Sequence, residues 1–183
     1  VAVYSPCDEV ELRLNGLSLG RLQKDNNRTF NKFMWNTTYT PGTLEAVGYN
    51  RGKEVARTTL VTPSQGTQLK LSPERREILA DANDLAYIGV TLTDAEGRTD
   101  TTADELVEFT VEGPGSLIAV GSSDPMSTES FTRPQRKLWR GECMAIVRSS
   151  DIPGKIIVKA HTASGKTSAT TINATSQRIT PTE

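Results

Sequence analysis

The chain reads EVELRLNGLSL over residues 9–19, and this stretch decides the fold class. Charged and apolar residues alternate over residues 9–14, which is the period-two pattern of a β-strand buried on one face. Asn15-Gly16 follows at once, a dipeptide that tolerates the positive φ angles of a two-residue hairpin turn. Residues 17–19 then resume the alternation, so the stretch predicts a β-hairpin.

Strand signals of this kind continue along the whole chain. Runs rich in Thr, Val and Ile recur about every 8 to 12 residues between turn signals, and no window shows a helical stripe. Residues 62–66 are small and polar and include Pro63 and Gly66, as expected of a linker. The sequence therefore predicts an all-β chain with two β-sandwich domains, residues 1–62 and 66–174, followed by a polar tail, residues 175–183.

Composition limits the partners and the chemistry. The net charge is -1 and neither domain is strongly basic, which argues against nucleic acid and anionic membranes as partners. No apolar run approaches the ~18 residues of a membrane span. With one histidine, His161, and two widely separated cysteines, Cys7 and Cys143, we predict lone thiols, no metal site and no cofactor.

The acidic residues do not form a predicted catalytic pair. Glu9 and Glu11 share one strand face, as do Glu108 and Glu112, and their apolar neighbours indicate the solvated faces of strands. Glycoside cleavage instead requires two carboxyls about 5 to 10 Å apart across a cleft. Asp81-Ala82-Asn83-Asp84 predicts a turn, because the spacing of a calcium loop is missing. No catalytic, cofactor-binding or metal-binding residue is nominated.

Two aromatic positions need a structural assignment. Trp35 lies in the first domain, where six of the ten aromatic residues occur, and we predict a core residue rather than a sugar platform. Residues 121–135 form a long irregular segment, and Trp139 follows it among basic residues, so that core and interface stay open for this side chain. We predict that Phe131 holds the segment on its own sandwich and that Phe131, Arg136 and Trp139 contact a neighbouring domain.

Several motifs resemble those of a known family. The stretch Cys7-Asp8-Glu9-Val10-Glu11-Leu12-Arg13-Leu14-Asn15-Gly16, with Val3-Tyr4-Ser5 before it and Ser18-Leu19-Gly20 after it, resembles a signature that follows the catalytic barrel in many bacterial β-galactosidases of glycoside hydrolase family 2. Residues 66–174 resemble the next module of these enzymes, which is similar to invasin-type immunoglobulin-like repeats. Val111-Glu112-Gly113-Pro114-Gly115 and Asp124-Pro125 are among the matching elements. Family members often have small polar residues where Cys7 stands.

The resemblance implies two immunoglobulin-like sandwiches in tandem and a parent enzyme that hydrolyses terminal β-galactosides with two glutamates on its barrel. Those glutamates would lie upstream, so no catalytic residue carries over. We expect the chain to be a fragment, a non-catalytic C-terminal accessory region. Its partner would be the catalytic barrel of the same polypeptide, the parent's substrate would be a carbohydrate, and its location the bacterial periplasm or the exterior. The alternatives are a carbohydrate-binding sandwich and a tandem immunoglobulin-like repeat of a surface adhesin.

Overall fold

The computed structural model describes residues 1–24 and 31–176. Within those ranges every helix or strand is a β-strand, so the all-β prediction is confirmed. No helix in the same ranges is long and apolar enough to cross a membrane. The chain divides into two compact units, Val1–Thr62 and Pro63–Glu183, which we call unit 1 and unit 2 and describe separately.

The strands follow one another in short antiparallel hairpins and longer crossings. Unit 1 contains β1 (Ala2–Tyr4), β2 (Glu9–Leu14), β3 (Leu17–Gln23), β4 (Lys32–Met34), β5 (Thr43–Asn50) and β6 (Lys53–Val61). Unit 2 contains β7 (Gln68–Pro73), β8 (Glu77–Leu79), β9 (Leu85–Thr93), β10 (Leu106–Glu112), β11 (Gly115–Gly121), β12 (Gln135–Lys137), β13 (Glu142–Ser149), β14 (Gly154–Thr162) and β15 (Thr167–Thr175).

Unit 1 contains a four-stranded antiparallel sheet in the order β3-β2-β5-β6 and a two-stranded sheet of β1 and β4. The predicted hairpin is confirmed: β2 and β3 are joined by Asn15 and Gly16, whose φ angles are 51° and 81°. Strand β4 covers Lys32–Met34, and Phe30 lies outside the described residues.

The core of unit 1 is small and aromatic. Val10 and Leu12 of β2 are buried together with Phe33 and Trp35. The two rings stack with centroids 6.4 Å apart, and the Trp35 indole N–H donates to the Gly20 carbonyl at 3.2 Å. The prediction that Trp35 is a core residue is therefore confirmed.

Unit 2 is a two-sheet sandwich. One sheet has the order β12-β10-β14-β15-β8 and the other has the order β11-β13-β9-β7. Among these strands, all pairs are antiparallel except β8 with β15. Strand β7 pairs with β9 in the other sheet, and the consecutive strands β7 and β8 therefore belong to different sheets. Inward residues of both sheets, such as Val90 and Val147 on one and Ile156 and Val158 on the other, form a single core.

The predicted linker is held to unit 2. The Ser64 amide donates to Asp94, and the Gly66 amide donates to Asp100 at 2.7 Å. Gly66 is buried, and a Cβ atom there would lie 2.5 Å from Leu92 Cγ. A larger residue at this position would therefore require Leu92 to shift, and residues 64–66 are part of the sandwich rather than a free spacer.

The predicted tail lies only partly within the described residues. Strand β15 includes Thr175, the first residue of the predicted tail. Residues 177–183 lie outside the described residues.

Candidate interaction surfaces

The long segment of unit 2 is organised by a buried arginine. Arg136 is 1% exposed, and its Nε and Nη2 atoms donate to Ser122 Oγ at 3.1 and 3.0 Å. The Arg136 Nη1 atom donates to the Glu129 carbonyl at 3.3 Å, and the Glu129 carboxylate oxygen Oε2 lies 3.7 Å from Arg136 Nε. Burying a guanidinium is costly unless such partners compensate for the lost water. The expectation that Arg136 contacts a neighbouring domain is corrected, because the side chain is enclosed by its own unit.

Phe131 and Trp139 are on the surface of unit 2. Phe131 is 61% exposed, and its ring centroid lies 5.2 Å from the guanidinium carbon of Arg136 in the same unit. That Phe131 anchors the segment on its own sandwich stays a prediction. Trp139 is 38% exposed and flanks the tight turn formed by Arg140 and Gly141, whose φ angles are positive. Neither ring is a core residue, and contact of either with another domain stays a prediction.

The outer face of the unit 1 sheet carries a network of charged residues. Glu11 accepts hydrogen bonds from Arg13 at 2.8 Å and from the Tyr49 hydroxyl at 3.0 Å. The Arg21 guanidinium lies over the Tyr49 ring, with its carbon 3.7 Å from the centroid, and Val47 lies on the same face and is fully buried. The sequence prediction of a solvated face is therefore wrong for Glu11, whose side chain is 12% exposed.

The network satisfies its own charges. The Arg13 hydrogen bond, with further donors, lowers the pKa of Glu11 to about 2 despite the opposing effect of burial. Glu9 pairs with Arg21 at 3.1 Å. Arg57 binds Glu45 and Glu54, each at 3.0 Å. Glu9, Glu11, Glu45 and Glu54 of this face each have an arginine partner, so the face forms an ionic network.

The other acidic residues considered as candidate sites in the sequence analysis, and the histidine, lie on strands and in a turn of unit 2. Glu108 and Glu112 are exposed and pair with His161 and Lys159 of the neighbouring strand, so the prediction of a solvated strand face is confirmed. His161 is also exposed. The turn predicted at residues 81–84 is present, because the Asp81 carboxylate accepts the amides of the two residues that end it.

Both thiols are free and buried, as predicted for lone cysteines. Cys143 is 6% exposed and Cys7 is 4% exposed. Burial raises the pKa of the Cys143 thiol to about 12. A thiol held in this protonated state is a poor nucleophile and a poor metal ligand.

Family models match most of the chain. Residues 69–172 match the family described as glycoside hydrolase family 2 C-terminal domain 5. Residues 1–56 match a family described only as a domain of unknown function. The two matches divide the chain in the same order as units 1 and 2.

Curated and solved relatives agree with the first of these matches. The chain is 34% identical over 152 residues to the Bacteroides ovatus protein named beta-galactosidase BoGH2A, covering 83% of the chain and 18% of that protein. A glycosyl hydrolase family 2 member from Bacteroides cellulosilyticus has a TM-score of 0.87 and 41% identity over 95% of the chain and 22% of its own. A family 2 beta-glucuronidase structure has a TM-score of 0.81 and 25% identity, covering 98% and 19%. The chain thus spans about a fifth of the length of these relatives. The matches do not favour a carbohydrate-binding module or a surface-adhesin repeat, the two alternatives raised by the sequence.

Proposed function

We propose that this chain, which belongs to the family described as glycoside hydrolase family 2 C-terminal domain 5, is a non-catalytic accessory region of an enzyme that hydrolyses terminal β-galactosides. The observation that carries the proposal is the family match over residues 69–172, which lies within unit 2. The catalytic barrel of the same polypeptide is the proposed partner, and a carbohydrate is the proposed substrate of that barrel.

The acidic residues support a non-catalytic role. A retaining glycosidase needs a nucleophile and a general acid about 5 Å apart, and the pKa of the general acid must be raised. In the described part of the chain, every carboxyl whose pKa shift is resolved is lowered, since hydrogen-bond donors outweigh burial. These carboxyls are Glu11, Glu54, Asp84, Asp94, Asp100 and Glu105.

The choice of substrate comes from the relatives. The curated relative at 34% identity is named a beta-galactosidase, and the solved structure at 25% identity is named a beta-glucuronidase. Both names denote enzymes that cleave a β-glycosidic bond and release a sugar. We propose the galactoside because the higher identity belongs to the relative of that name.

Two chromogenic substrates test the proposal. The 183-residue chain should leave both a β-galactoside and a β-glucuronide intact. The complete enzyme should cleave the galactoside with the higher kcat/KM. Turnover by the chain alone that disappears when one of its own carboxyls is mutated would contradict the non-catalytic role, and preference for the glucuronide would contradict the substrate.

A further inference from the structure

Four leucines form a row across one end of the four-stranded sheet of unit 1. Leu14 is the cross-strand partner of both Leu17 and Leu44, and Leu44 is the partner of Leu60. Residues directly opposite each other in an antiparallel pair project to the same face of the sheet. The side chains therefore cross β3, β2, β5 and β6 in order, and we call them the leucine row.

The leucine row extends the core face beyond the part that is covered. Leu12 precedes Leu14 by two positions, shares its face and is buried at 1% exposure. By contrast, Leu17 is 75% exposed and Leu60 is 70% exposed, while the two central leucines are half-buried. Burying a leucine side chain removes apolar surface from water and is stabilising, and the two end leucines do not gain this stabilisation within this chain.

The sequence segments that contain or border the row are uncharged. Residues 14–20, 33–44 and 58–62, which contain or border the row, include no Asp, Glu, Lys or Arg. Tyr39 is 75% exposed, and its hydroxyl lies 3.5 Å from Thr62 Oγ1, just beyond the end of β6. Exposed aliphatic and aromatic side chains without charges are the composition of an interface core. The opposite face of the sheet has the reverse character, since its arginines and glutamates are paired with one another.

We propose that the leucine row and Tyr39 form the surface through which this region docks onto an apolar surface of the catalytic part of the same polypeptide. This proposal rests on the proposed function. It also rests on length, because the matched region is 18% of the Bacteroides ovatus relative and most of that protein lies outside it. A partner in the same polypeptide is held at high effective concentration and needs no charges for steering.

A permanent contact also explains why exposed leucines are tolerated. On a free surface, an uncharged apolar patch beside the exposed edge strand β6 would promote aggregation. Covered by a neighbouring part of the same enzyme, the patch is removed from water for the lifetime of the protein.

Thiol labelling tests the proposal. Leu17→Cys and Leu60→Cys introduce accessible thiols into a chain whose own cysteines, Cys7 and Cys143, are buried. We expect a maleimide to label both variants rapidly in the 183-residue chain and about tenfold or more slowly in the complete enzyme, because a closed contact must open first. Mass spectrometry of the peptides measures each rate. Ile152→Cys, at a 63% exposed position of unit 2, is the matched control and should label equally in both proteins.

Each result decides a separate question. Equal rates at the leucine positions in both proteins would overturn the docking surface. Slow labelling in the 183-residue chain by itself would also overturn it, and a dependence on protein concentration would assign the row to a second copy. Activity is measured on the same samples: an active enzyme with unprotected thiols contradicts docking alone, and protected thiols without glycosidase activity contradict the proposed function alone.

Discussion

Replacing Trp35 by alanine tests the packing of unit 1. The side chain is 6% exposed, stacks on Phe33 and donates its indole N–H to Gly20. Truncating a buried tryptophan to alanine costs about 3 to 5 kcal/mol. At about 0.05 to 0.15 kcal/mol per residue, a unit of this size has a total stability of roughly 3 to 9 kcal/mol. Trp35→Ala should therefore remove most of the free energy of unfolding of unit 1.

The assay must separate the two units. Urea denaturation followed by hydrogen exchange of individual peptides reports the free energy of unfolding of each unit. Trp35→Phe keeps a ring against Phe33 and should lose only about 1 to 2 kcal/mol. Trp139→Ala is the control and should leave unit 1 unchanged. A loss below about 1 kcal/mol in unit 1, or an equal loss in unit 2, would refute the assignment of Trp35 to this core.

Three further predictions concern buried polar groups. The pKa of Glu11 is about 2 in the folded chain against an ordinary 4.5, so the stability that ionised Glu11 contributes is present above pH 4.5 and is lost as the pH falls toward 2. Glu11→Gln should flatten the pH dependence of the urea midpoint, and a pH profile unchanged by the mutation would contradict this prediction. Arg136→Ala should destabilise unit 2 by about 3 to 5 kcal/mol and accelerate chymotryptic cleavage of residues 121–135, whereas exposed Arg133→Ala should change stability by less than about 0.5 kcal/mol; equal effects would contradict the organising role. Cys7 and Cys143 should resist a disulfide reagent in the folded chain and both react in denaturant, and a fast thiol under native conditions would show that one of them is accessible.

Local chemistry made much of the fold predictable. The alternation in residues 9–14 and the Asn15-Gly16 turn depend on neighbours in the sequence, and the structure has the hairpin at those residues. Trp35 was assignable to the core because aromatic residues concentrate in the first domain. The proposed function came from resemblance of motifs, since no pattern of chemistry-bearing residues in the sequence marks a site.

The two sequence-based assignments that the structure reversed both concern burial of polar groups. Alternation in β2 placed Glu11 correctly opposite the core, but Tyr49, which buries and binds it, is 38 positions away. Arg136 was expected at an interface because arginine is enriched at contact hot spots, yet Ser122 and Glu129 bind it through a segment without secondary-structure periodicity.

The sequence by itself determined which residues form strands, where the chain turns and which side chains share a face, because these follow from backbone geometry and adjacent residues. Only the tertiary structure decided what covers each face. The same sheet has one face that is covered in part by an aromatic core, with the leucine row beyond it, and another that is closed by paired charges. Burial depends on contacts between residues distant in the chain, and the pattern along one strand carries no information about them.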